Sequence, residues 1–258
     1  ITGRRPRRLA IDQQAQRIEA RGRHRLLHLE AERRRAERGL DGLNFFLADV
    51  RDGLGPYLAI YLLSVHHWQP ASIGAVMTVS AIVGLLTQTP AGALMDRIHA
   101  KRMTLAVAAL LVTASCLLLP WTQGFAVVAS TQALSAVAAS VIAPAIAAIS
   151  LGVSGPRAFA RRMGRNETFN HAGNVVAALL AGGLAYLWGP TVVFYLMAVM
   201  TLASVAAAGA IPGAAINDAQ ARGLAAEPQG ANPPSPGRLL LRDRRLLLLA
   251  ACSCLFHL

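Results

Sequence analysis

The chain has 258 residues, of which 54% are hydrophobic and only 15% charged, and its mean hydropathy is +0.44. This leaves too little polar surface for an ordinary soluble domain and points to an all-α membrane protein. A formal net charge of +12 raises nucleic acid as a partner, but the basic residues are confined to an N-terminal arm and a few connections, a distribution that fits membrane topology and weighs against nucleic acid.

Residues 1–42 form a basic cytoplasmic arm, rich in arginine from Arg4 to Arg38 and interrupted by Gly22 and Gly39. Its few apolar residues cannot build a core, so it is expected to be solvated or to lie against anionic lipid. No apolar run precedes residue 43, so no secretory signal peptide is read. Six apolar segments follow, at about 43–65, 71–94, 103–120, 124–151, 171–188 and 191–211, each near the length that crosses a hydrocarbon core of about 30 Å. Residues 43–211 are therefore predicted to form six complete transmembrane helices. Residues 212–245, with Asn232-Pro233-Pro234-Ser235-Pro236-Gly237, read as a flexible cytoplasmic linker. A seventh apolar segment, 246–258, stops after about 13 residues, short of the roughly 17 needed to span. With Ile1 in place of an initiating Met, a fragment ending inside a helix is expected.

The connections sort by charge. Segments 66–70, 120–124 and 188–190 carry no Lys or Arg, but each holds a Trp suited to the headgroup region. Between them lie Arg97, Lys101 and Arg102, then Arg157, Arg161, Arg162 and Arg165, then Arg222, Arg238, Arg242, Arg244 and Arg245. The alternation predicts a multi-pass protein, of a bacterial inner membrane, with the N-terminus and the basic connections inside.

Asp49, Arg51 and Asp52 interrupt the first span, and an intramembrane charge is a functional hypothesis by default. Asp49 and Asp52, three residues apart, share a helix face about 9–14 Å deep. One reading makes them a proton or cation site. The other makes Arg51 their structural partner. Gly53, Gly55 and Pro56 should bend the helix beside them. In the fourth span Gln132 and Ser135 share a face, either lining a pathway or hydrogen-bonding between helices. Asn166, Asn170 and Asn174 recur every four residues entering the fifth span, beside Glu167 and His171, and form a candidate cytoplasmic gate whose bland alternative is capping and buried polar packing.

Cys116, Cys252 and Cys254 are odd in number and lie in apolar segments, which argues against a disulfide framework, and Cys252, Cys254 and His257 lack a fourth ligand for a metal. There is no phosphate-binding glycine loop and no convincing nucleophile–base pair, so neither an enzyme nor a cofactor is expected.

The turn after the second span, Gly92-Ala93-Leu94-Met95-Asp96-Arg97-Ile98-His99-Ala100-Lys101-Arg102, resembles the cytoplasmic loop motif G-x-L-x-D-R-x-G-R-K/R of the major facilitator superfamily. Gly92, Leu94, Asp96, Arg97 and Lys101 match, whereas His99 and Ala100 depart from it. The resemblance covers about 43–258, and Gly164–Asn174 is similar to bacterial members of uncharacterised substrate. It implies the N-terminal half of a secondary transporter: a 3+3 repeat of six helices, a C-terminal half beyond Leu258, and a midplane site for a small-molecule substrate with a possible proton or cation. Asp96 would then belong to a latch between the halves. The antiporter motif of drug exporters is incomplete, because Tyr186 stands where a glycine belongs. A six-helix scaffold or channel subunit, and a membrane-tethered nucleic-acid-binding protein, are the competing readings.

Overall fold

The computed structural model describes residues 5–51, 54–122, 124–221, 243–248 and 252, with side chains from Arg23 onward apart from those of 24–26 and 56. All regular structure among them is helical, in the order α1 (Arg5–Arg51), α2 (Gly55–Ser64), α3 (Pro70–Arg97), α4 (Lys101–Leu117), α5 (Phe125–Trp188), α6 (Val192–Ala210) and α7 (Asp218–Ala221). Short 3-10 turns lie at Leu119–Trp121 and Gly213–Ala215. The chain divides into two units, Ile1–Gly223 and Leu224–Leu258. In the second, residues 244–248 are helical, and Asp243 caps them by accepting from the Arg245 amide at 2.9 Å. Most of the expected linker and most of the expected seventh segment, with Cys254 and His257, lie outside the described residues.

Among the described residues, α3, α4 with its 3-10 turn, α5 and α6 are long and apolar enough to cross a membrane. Their outer faces carry exposed leucines such as Leu179 and Leu202. Lipid is the natural solvent for such faces. The inner faces meet in one apolar cluster around Leu43, Leu47, Val112, Ile142, Ile149 and Phe194. α5 packs against α1, α3 and α4, and α6 against α1 and α4.

Two differences from the sequence expectations, and one break that they anticipated, have local causes. α1 runs without a break from the arm into the first span, and Ala36 and Leu40 are already fully buried. Gly39 does not interrupt it, because a Cβ there would lie 2.6 Å from Ile211 Cγ1 and 3.2 Å from the Ala207 carbonyl. The glycine serves a close helix approach instead.

The first span, in turn, is split. α1 ends at Arg51, Leu54 takes a left-handed φ of 69°, and α2 starts at Gly55, where the Gly and Pro residues were expected to bend the chain. The 152–170 connection is helical rather than a loop, so the fourth and fifth apolar segments belong to one 64-residue element with a break at Gly155 (φ 71°, ψ 168°).

Each Gly-Pro pair of the sequence does the same work. Gly55, Gly155 and Gly189 all have positive φ, and each is followed by a proline that opens or precedes a new helix. Glycine alone tolerates these backbone angles, and proline's missing N–H costs nothing in a first helical turn.

Candidate functional site

Two polar regions lie inside the apolar bundle, and both are held by α1 and α5. The first sits where the arm enters the span. Asp41 follows the buried Leu40 and precedes the apolar run of the first span, so its carboxylate is carried inward by α1. Arg162 and Arg165 come from α5 just past the Gly155 break. Arg162 Nη2 donates to Asp41 Oδ1 at 2.5 Å, and Arg165 donates through Nε to Oδ1 at 3.0 Å and through Nη2 to Oδ2 at 2.6 Å.

Arg162, only 5% exposed, also donates from Nε to Asn166 Oδ1 at 2.8 Å, and Asn166 Nδ2 donates to Ser150 Oγ at 2.8 Å. Ser150 precedes the break and Arg162 follows it, so the chain of bonds straps the two limbs of α5 together and ties both to α1. The carboxylate also raises the already high pKa of Arg165 by accepting its hydrogen bonds, which keeps that charge permanent. A buried pair with its remaining donors and acceptors satisfied is a rigid joint.

Below this joint, Gly173 brings α5 against α1. A Cβ there would collide with the Phe45 carbonyl and lie 3.0 Å from Ala48 Cβ. Toward the joint, Arg51 Nη1 lies 3.7 Å from Glu167 Oε1, and Asn170 Nδ2 donates to Glu167 Oε2 at 3.1 Å. Arg51 thus reaches across to α5.

The second region is a cavity of about 410 Å³ between α1, α3 and α5, lined on its polar side by Arg51, Ser80, Gln88, Gln132, Ser135 and Ser140. A smaller cavity of about 200 Å³ shares Ser80 and Gln132 and extends to Gly55 and Leu58 at the break in the first span. Ser80 Oγ donates to the Gln132 carbonyl at 3.3 Å, joining α3 to α5. Gln132 is 4% exposed, yet its Nε2 has no hydrogen-bond partner among the described residues. Such a donor is costly to bury and is normally satisfied. Among the described residues the lining supplies one guanidinium, amides and hydroxyls, and no carboxylate, so it can hydrogen-bond a small polar solute from several sides.

The expected site residues thus separate. Arg51 and Gln132 meet at the cavity. Asp49 is half-buried in α1, and the Cys116 thiol lies among Asp49, Gln132 and Ser135. Asp52 lies outside the described residues. Asn166 belongs to the joint, while Glu167 and Asn170 belong to the link with Arg51. His171 is exposed and Asn174 half-buried, so the asparagine stripe does not act as one set.

In the loop motif, Leu94, Asp96 and Arg97 are exposed, and a Cβ on Gly92 would meet nothing within 4 Å among the described residues. Lys101 is buried and closes the turn, donating from Nζ to the Met95 carbonyl at 2.8 Å and the Ile98 carbonyl at 2.7 Å. Sequence reasoning missed Asp41, Ser80, Gln88, Ser140 and Ser150, and it treated Arg162 only as an orientation charge. The four-residue spacing of Arg162 and Asn166 was the available signal.

The family model for the Major Facilitator Superfamily matches residues 41–258. Two proteins of Mycobacterium tuberculosis, the uncharacterized MFS-type transporters MT2531 (strain CDC 1551 / Oshkosh) and Rv2456c (strain ATCC 25618 / H37Rv), are each 50% identical to the chain over 224 residues. Each match covers 86% of this chain and 54% of the relative, so the chain spans about half the length of the curated relatives it matches. With its apolar helices and this match over most of its length, the chain is a multi-pass membrane protein that belongs to the major facilitator superfamily.

Proposed function

We propose that the protein is a secondary active transporter that moves a small polar solute by alternating access, with the α1–α3–α5 cavity as this half's share of the binding site. The observation that carries the reading is the polar lining of this cavity, where Arg51, Ser80, Gln88, Gln132, Ser135 and Ser140 border open space within apolar spans. In apolar spans, polar side chains around empty space are expensive unless a solute or water meets them.

The 64-residue α5, broken at Gly155, supplies two membrane crossings, and α1 with α2 supplies another across the break at 52–54. With α3, α4 and α6 this makes six spans in the 3+3 arrangement. The basic connections support an inside N-terminus, in a bacterial inner membrane. A second half of similar size follows Leu258, in keeping with relatives about twice as long. Asp49 carries the coupling proton or cation. Its place beside the cavity helices supports this, since a carboxylate moving between water and a low-dielectric cavity changes its proton affinity.

The test uses the complete protein in vesicles, first screened for polar solutes that raise its melting temperature and then assayed for their uptake with and without a pH or cation gradient. Gradient-dependent uptake that loses its pH or cation response in Asp49→Asn is the expected result. Solute movement unaffected by any gradient, or none at all with well-folded protein, rejects secondary transport by this route.

A further inference from the structure

Another cavity, of about 540 Å³, lies away from the α1–α3–α5 site, between the start of α4 and the end of α6. Its volume is that of a small-molecule site rather than a single ion. At its polar end stand His99, Lys101 and Arg102. Lys101 is engaged with two carbonyls of its turn, and Arg102 Nη1 donates to the Ile211 carbonyl, so both cations are fixed in place rather than free to swing into water. Asp218 is the one carboxylate among the described lining residues, leaving their permanent charge positive.

The remaining wall is apolar, with Met103, Val205 and Ile216 among smaller alanines and glycines. Met103 and Ala106 on α4 face Val205 and Gly209 on α6. Met103 is 72% exposed, and a Cβ on Gly209 would meet nothing within 4 Å. A groove on the lipid-facing side of two spanning helices, apolar along its length and cationic at its membrane-surface end, matches an amphiphile with an anionic head and a hydrocarbon tail.

We infer that this groove binds an anionic phospholipid, its phosphate held by Arg102 and His99 and one acyl chain laid between α4 and α6 against Gly209. Charge complementarity selects the headgroup, and the open space at Gly209 admits the chain. A lipid seated there bridges the loop after α3 to the segment after α6, two stretches already joined by the Arg102–Ile211 bond.

The experiment takes the complete protein, purified and placed in nanodiscs of phosphatidylcholine with graded phosphatidylglycerol, and counts retained lipid by native mass spectrometry while following the melting temperature. Phosphatidylglycerol is expected to be retained in preference to phosphatidylcholine and phosphatidylethanolamine. Arg102→Gln, which keeps a hydrogen-bond donor, should weaken that retention by about five-fold. Gly209→Phe should do so without touching any charge, by filling the groove. Arg161→Gln, an exposed arginine outside the groove, should leave it unchanged. Equal retention of the three lipids, equal losses in Arg102→Gln and Arg161→Gln, unchanged retention in Gly209→Phe, or the same stabilisation by inorganic phosphate alone would each overturn the assignment. If Arg102→Gln does not fold, Gly209→Phe decides.

Discussion

The joint around Asp41 and the cavity around Gln132 are built from the same two helices and similar polar side chains, yet they differ in where their hydrogen bonds go. At the joint Asp41, Arg162, Arg165, Asn166 and Ser150 satisfy one another within this chain. At the cavity, Ser80, Gln88, Gln132, Ser135 and Ser140 border open space, and Arg51 lies 3.7 Å from a half-exposed Glu167. A polar group with its partners in the fold holds the fold. One facing empty space is set aside for something that comes and goes. Which kind a residue is depends on its surroundings rather than its type.

The largest effect is expected at the joint. Asp41→Asn leaves two guanidinium groups without their carboxylate, one of them nearly buried, and should lower stability by about 3 kcal/mol, visible as reduced folded yield and a lower melting temperature. Replacing Asp41 and Arg162 together with neutral residues should recover part of that loss. If the single variant were as stable as the parent, the joint would not be a structural element.

Gly173→Ala comes next. Its methyl group collides with the Phe45 backbone, which cannot rotate away, so a loss of about 1–3 kcal/mol is expected in the same thermal assay. Gly182→Ala, where the space is open, is the matched control and should be neutral.

The cavity should behave in the opposite way. Gln132→Leu removes a buried donor that has no partner among the described residues, so stability should change by less than about 1 kcal/mol, in either direction, while solute affinity falls by about ten-fold for a lost hydrogen bond. The readout is a melting temperature beside a solute titration. A variant that unfolds as readily as Asp41→Asn would erase the distinction between the two regions.

The smallest effect on stability belongs to Asp96→Asn. The residue is exposed and in no ion pair among the described residues, so this half should lose no more than about 0.5 kcal/mol. Any large effect on transport would then arise in conformational switching, measured as a changed ratio of inward to outward accessibility.

The helical class and the stretches long enough to span were legible in the sequence because lipid demands uninterrupted apolar length, and that demand is written locally. The break in the first span was legible for a similar reason, since glycine and proline act on their own backbone. Two continuities were not. The arm was expected as a solvated helix or coil or a helix on lipid, and 156–170 as a loop; at 156–170 the buried contacts of Arg162 with α1 and of Asn166 with Ser150 supply what composition does not.

Site residues were legible only in part. Asp49, Arg51 and Gln132 stand out as polar residues in apolar runs. Asp41 sits at the edge of its run, and Arg162 sits among other arginines. Their partnership spans 121 positions, and no local pattern announces it. The asparagine stripe failed as a unit because a spacing of four fixes a helix face but not what that face meets. Asn166 meets Arg162 and Ser150, whereas Asn170 meets Glu167.

The central claim is that the α1–α3–α5 cavity is an aqueous solute site rather than a packing defect. It is tested most directly by single cysteines at Ser80 and Gln88, on the cavity, and at Leu179, on the outer face, in the complete protein with its native cysteines replaced. A membrane-impermeant maleimide should label Ser80→Cys and Gln88→Cys and leave Leu179→Cys unmodified, and a stabilising solute should protect the two cavity positions. Labelling of Ser80→Cys and Gln88→Cys no faster than Leu179→Cys, from either side of the membrane, would contradict the account.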